Sequence, residues 1–175
     1  MKLGIRKISL IAVLISQAII LGFIERFIPV NFIVPGAKLG LANIVTLVSI
    51  YMLTFKETSL VLGGRIVLIA FMFGSVSSML YSFSGGFLAL MAMYLAKRSD
   101  SISIIGISII GAVFHNIGQL LMAALVIENV NIFYYLPLLL LFAVPTGLLI
   151  GTTTKLLLKY LESIEKLGKV RNNSD

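Results

Sequence analysis

The 175-residue chain is 59% hydrophobic and 12% charged, against roughly 45–50% and about 25% in ordinary soluble domains; in water such a surface would drive aggregation, so the composition points to lipid as the solvent. With no cysteine and one histidine, the sequence excludes disulfides, thiol catalysis, thiolate metal ligation and a multi-histidine metal site. The net charge of +7 fits the basic cytoplasmic loops of membrane proteins rather than nucleic-acid binding.

A membrane-crossing helix needs about 20 mostly apolar residues, and the chain has room for about six. Span 1 is expected over residues 8–27. Its basic N-terminal flank resembles a signal peptide, but the apolar run is too long and further spans follow. Pro29 and Pro35 bracket a loop over residues 30–38. Span 2 is expected over 39–55, stopping at Lys56 and Glu57. Span 3 covers 59–73 and carries Arg65; Gly74 with Ser75, Ser77 and Ser78 marks a turn. Span 4 covers 79–96, with Gly85 and Gly86 inside it, and Lys97 to Asp100 form a polar break. Span 5 covers 102–127 and residues 128–131 form the next loop. Span 6 runs over 134–155, and a charged tail fills 156–175, with the end from Lys169 onward expected to fray. No repeat of 20–50 residues is present. The expected fold is an all-α integral membrane protein, a single membrane domain over residues 1–175.

Six spans put both termini on one side, with eleven of the fourteen basic residues. Arg26 and Lys38 lie on the other side and Arg65 within a span. Basic residues concentrate on the cytoplasmic face, so both termini are expected in the cytoplasm, in a multi-pass protein of the cell membrane.

Arg65 is the sharpest candidate for function. An arginine inside an apolar span is costly and faces a partner or a wet cavity; the alternatives are an ion pair with Glu25 or Glu128, or snorkelling to the interface. His115 and Gln119, at i and i+4, share a helix face, with Asn116 beside it. This trio reads as a hydrogen-bonding pocket wall or as polar contacts between helices. Glu25, Arg26, Lys38 and Asn43 gather near the outer ends of spans 1 and 2, and Gly36 permits a tight turn. Ala12 and Ser16 place small residues one turn apart on span 1, as do Gly147 and Gly151 on span 6, both patterns that allow close helix approach.

No phosphate-binding loop is present, so the chain does not hydrolyse ATP alone. Asp100 and Asp175 are its only aspartates, whereas a magnesium-dependent prenyl synthase needs clustered carboxylates to hold metal against pyrophosphate. No nucleophile–base pair stands out, and no catalytic residue, metal or cofactor is expected.

Several strings carry a resemblance: Pro-Gly-Ala-Lys-Leu-Gly-Leu-Ala-Asn at 35–43, the Arg65 span, Ser-Gly-Gly at 84–86, Gly-Ala-Val-Phe-His-Asn-Ile-Gly-Gln at 111–119, and Tyr-Leu-Pro at 135–137 followed by Thr146-Gly147-Leu148. Over about residues 8–155 the chain resembles the Gx transporter family, also labelled heptaprenyl diphosphate synthase component I. That family is similar to the substrate-binding S components of energy-coupling factor (ECF) transporters. The resemblance implies six helices holding a small solute near the outer face, beneath the 30–38 loop. It also implies a span 1 surface at Ala12 and Ser16 for a coupling transmembrane subunit that works with ATPase subunits. Serine replaces the second alanine of the usual small-residue pair. The site would use Lys38, Asn43, Arg65, His115, Asn116 and Gln119, with two cations for an anionic, partly hydrophobic ligand. The alternative is a non-catalytic membrane accessory of isoprenoid-chain synthesis.

Overall fold

The structure is a computed structural model that describes residues 4–25, 27–28 and 40–172, with side chains as far as Ile164. Among these residues are six α-helices: α1 (Ile5–Glu25), α2 (Leu41–Met52), α3 (Phe55–Phe73), α4 (Val76–Ala96), α5 (Ile104–Ile127) and α6 (Leu136–Asn172), the last preceded by a 3-10 turn over Val130–Tyr135. The protein is an all-α membrane protein. Four segments are long and apolar enough to cross a bilayer: α1, α4, α5 and the stretch Val130–Ile164.

The other two helices differ from simple spans. Read as a full crossing over 39–55, the second segment is instead a 12-residue helix, about 18 Å long against a hydrocarbon core of about 30 Å. It is buried nearly all round, from Ala42 through Ile50, as expected of a helix that is apolar on every face. Both its ends are held by charges from other helices. Glu25, the last residue of α1, accepts from the backbone N–H groups of Gly40 (2.6 Å) and Leu41 (3.1 Å). Lys97, just past α4, donates to the Ile50 carbonyl (2.6 Å) and lies over the Tyr51 ring. An anion at the N-terminus and a cation at the C-terminus both complement the helix dipole. Gly40 has φ 71°, a left-handed conformation that side chains resist.

α3 starts at once, because Thr54 and Glu57 form a reciprocal capping box. It carries Lys56, Glu57 and Arg65 within one helix. Ser75 and Ser103 cap α4 and α5 through their hydroxyls. α6 is longer than the expected sixth span: it passes through Lys155 without a break and continues to Asn172. Leu, Lys and Glu dominate its sequence there, all good helix formers, and no glycine intervenes before Gly168.

Around the bundle the neighbours run α1, α3, α4, α5, α6, α2 and back to α1. A core containing Leu47, Ile50, Val61, Leu62, Leu90 and Ile107 fills the half where α3 and α5 begin and α4 ends. The other half encloses a cavity. α5 is locked to both neighbours by glycines: a Cβ at Gly118 would lie 2.7 Å from the Ser84 carbonyl oxygen and 2.8 Å from Gly85 Cα, and a Cβ at Gly147 would lie 2.7 Å from Ile109 Cα. Gly151 sits equally tightly on Ile105. The Ser84 hydroxyl donates to the Gly118 carbonyl across the same crossing (2.7 Å).

Candidate functional site

The cavity measures about 390 Å³ and is walled by all six helices, a size at the lower end of ordinary ligand pockets (about 300–1,000 Å³). It lies in the half of the bundle away from Lys7, Lys56, Lys97 and Lys155. Five sequence-expected residues line it together: Asn43 from α2, Arg65 from α3, and His115, Asn116 and Gln119 from α5. Lys38 lies outside the described residues.

Arg65 projects from the middle of α3 and is only 6% exposed. Its Nη2 donates to Asn43 Oδ1 at 2.6 Å. Its Nε is buried and has no hydrogen-bond partner among the described residues. Neither carboxylate weighed as a partner forms an ion pair with it: Glu25 caps α2, and Glu128 is an exposed residue ending α5. Among the described residues the one ion pair is Lys7 to Glu57 (2.9 Å), at the opposite end of the bundle.

On α5 the polar trio is positioned by the glycine crossing. A Cβ at Gly85 would lie 2.7 Å from both the His115 carbonyl oxygen and Gln119 Cγ, and 3.3 Å from His115 Cε1. The absent side chain at 85 therefore leaves room for His115 and Gln119 beside α4. Asn116 spends part of its hydrogen-bonding capacity on structure: its Nδ2 donates to the Leu139 carbonyl at 3.0 Å, tying α5 to α6.

Sequence reasoning missed Ser82 and Thr146, and it assigned Ser78 to a turn; all three line the cavity. Ser78 and Ser82 are i, i+4 on α4, a spacing that could have revealed them. Thr146 bonds back to the Phe142 and Ala143 carbonyls of its own helix, next to Pro145. Ile66, Ile69, Met79, Leu139 and Phe142 supply apolar wall. Ala12 and Ser16 lie elsewhere, both exposed on the outer face of α1, with the Ser16 hydroxyl donating to the Ala12 carbonyl (2.9 Å). Among the described residues no group of three His, Cys, Asp or Glu could hold a metal ion.

The arrangement combines one buried guanidinium, several amides and hydroxyls, and an apolar wall, which can bind and orient a small amphipathic molecule. No curated protein and no solved structure matches the chain. The family model described as heptaprenyl diphosphate synthase component I matches residues 14–157, a stretch that takes in Ser16, α2 to α5, the cavity-lining part of α6 and every described wall residue of the cavity. By that match the chain belongs to the heptaprenyl diphosphate synthase component I family.

Proposed function

We propose that this protein is a membrane-embedded solute-capture subunit of the ECF importer type, which takes a small, anionic and partly hydrophobic metabolite from outside the cell and performs no chemistry on it. The observation that carries this reading is Arg65: a nearly buried guanidinium on the wall of a cavity, bonded to one neutral amide and to no carboxylate. A charge placed so deep in an apolar helix marks a ligand or ion path more often than a structural contact. The protein sits in the cell membrane with both termini cytoplasmic, and the cavity half faces outward because the basic residues crowd the other end. The exposed Ala12–Ser16 face of α1 docks on a coupling transmembrane subunit, whose ATPase partners supply the energy.

The family name favours a second reading, a non-catalytic membrane component that assists a soluble prenyl diphosphate synthase. Cavity size weighs against the cavity holding that enzyme's product. Its volume, at the lower end of ordinary ligand pockets, is small for a heptaprenyl chain, which alone has thirty-five carbons.

The test is thermal stabilisation of the purified protein in neutral detergent by a panel of metabolites. A ligand at 100 times its dissociation constant adds about 2.7 kcal/mol. Arg65→Ala and His115→Ala are expected to lose that gain. Full retention in both variants would remove the site. Co-purification with a soluble prenyltransferase and no response to any metabolite would install the second reading.

A further inference from the structure

We propose that Arg65, held in place by Asn43, receives the carboxylate of a small amphipathic monocarboxylate. The inference rests on the solute-capture reading and narrows its ligand.

Three observations lead there. The first is the geometry left open on the guanidinium. Asn43 Oδ1 engages Nη2, which fixes the plane of the group, while the buried Nε has no acceptor among the described residues. A guanidinium presents its N–H groups as a flat fork that matches the two oxygens of a carboxylate. Asn43 is therefore a positioning residue, since the short helix that carries it is clamped at both ends by Glu25 and Lys97.

The second is charge. Glu25 and Arg65 line the same cavity, so its described wall offers one cation and one anion. Glu25 opposes any anion in this cavity and the repulsion grows with the anion's charge, so a wall whose described cation is Arg65 alone suits a singly charged head group better than a phosphate dianion.

The third is shape. Ile66, Ile69, Met79, Leu139 and Phe142 face the remainder of the ligand with hydrocarbon. The volume of about 390 Å³ is at the lower end of ordinary ligand pockets (about 300–1,000 Å³), which suits a small molecule. A short acyl or aromatic acid fits, and a long lipid does not.

The experiment uses three probes with one tail: hexanoate, hexyl phosphate and hexanamide. Each is titrated calorimetrically into the full chain in neutral maltoside detergent at pH 7. Hexanoate is expected to bind at least tenfold more tightly than either of the others. Arg65→Lys keeps the charge but not the fork, and is expected to lose at least tenfold toward hexanoate. Asn43→Asp sets a carboxylate against Arg65, and is expected to abolish hexanoate binding. Size-exclusion profiles identical to that of the unmodified protein establish that both variants fold.

Tighter binding of hexyl phosphate would overturn the head-group assignment and leave solute capture standing. So would undiminished hexanoate binding by Arg65→Lys, or silence of all three probes toward a protein that the metabolite panel stabilises. Silence toward both sets of compounds would overturn the proposal and the reading beneath it together.

Discussion

A guanidinium can be spotted in an apolar helix from sequence alone, because nothing else in residues 59–73 is charged. The His115–Gln119 pair was legible for a similar reason, since i, i+4 spacing puts two polar groups on one face of a helix that is otherwise hydrocarbon. Ser82 and Thr146 were not legible. Hydroxyls in apolar helices commonly bond back to their own carbonyls, as Ser59, Thr152 and Thr153 do here, so a serine or threonine in such a run carries little directional signal. Glu57, at the opposite end of the bundle and before the expected third span, gives a pH prediction. The Thr54 backbone N–H, and then the Lys7 ammonium, hold its carboxyl at about 2 instead of the usual 4.5. A carboxyl depressed by folding contributes stability in full above its unfolded pKa and loses it as pH falls through the folded value. The difference in melting temperature between the parent protein and Glu57→Gln is therefore expected to hold steady from pH 7 to about 5. It then shrinks between about 4.5 and about 2. A difference that does not change across that range would remove the role assigned to the ion pair and capping box.

A helix end is easiest to place where polar residues punctuate the chain, as at Lys97 to Asp100, which lie between the end of α4 at Ala96 and the start of α5 at Ile104. The break between the second and third segments is expected at Lys56 and Glu57, the first charges after the apolar run. Thr54-Phe-Lys-Glu57 is a capping-box pattern, so the chain breaks earlier: α2 ends at Met52 and α3 starts at Phe55, with both charges in its first turn. The α5 interfaces show a second limit. Glycine at 111, 118, 147 and 151 announces close packing in general, but the sequence does not say which backbone each one meets. The structure sets Gly118 against Ser84 and Gly85. Gly118→Ala would push a methyl group into backbone atoms that cannot rotate away, and overpacking of this kind costs about 1–3 kcal/mol. A drop in melting temperature is expected, accompanied by weaker solute binding, because His115 and Gln119 are aligned by the same crossing. An unchanged melting temperature would mean that the two helices are not in contact there.

Taken whole, the protein has a filled half and a hollow half, with lysines gathered at the filled end. Orientation is open to a direct check, because the chain has no native cysteine. Ser163→Cys, on the exposed part of α6, is expected to react with a membrane-impermeant maleimide only from the cytoplasmic side. Asn131→Cys, in the exposed 3-10 turn, should react only from outside. The reverse pattern would turn the hollow half toward the cytoplasm and end the uptake proposal. Assembly has its own check: Ala12→Trp is expected to block association with a coupling subunit while leaving solute binding intact, and normal association would clear α1 of that role. The final helix sets a geometric limit of its own. Its 37 residues measure about 55 Å; even inclined by 40°, the upper end of the usual range, it would still rise about 42 Å along the bilayer normal. No bilayer with a hydrocarbon thickness of about 30 Å can swallow that length. Part of α6 must stand clear of the fatty interior as a stalk, within reach of proteins that never enter the lipid.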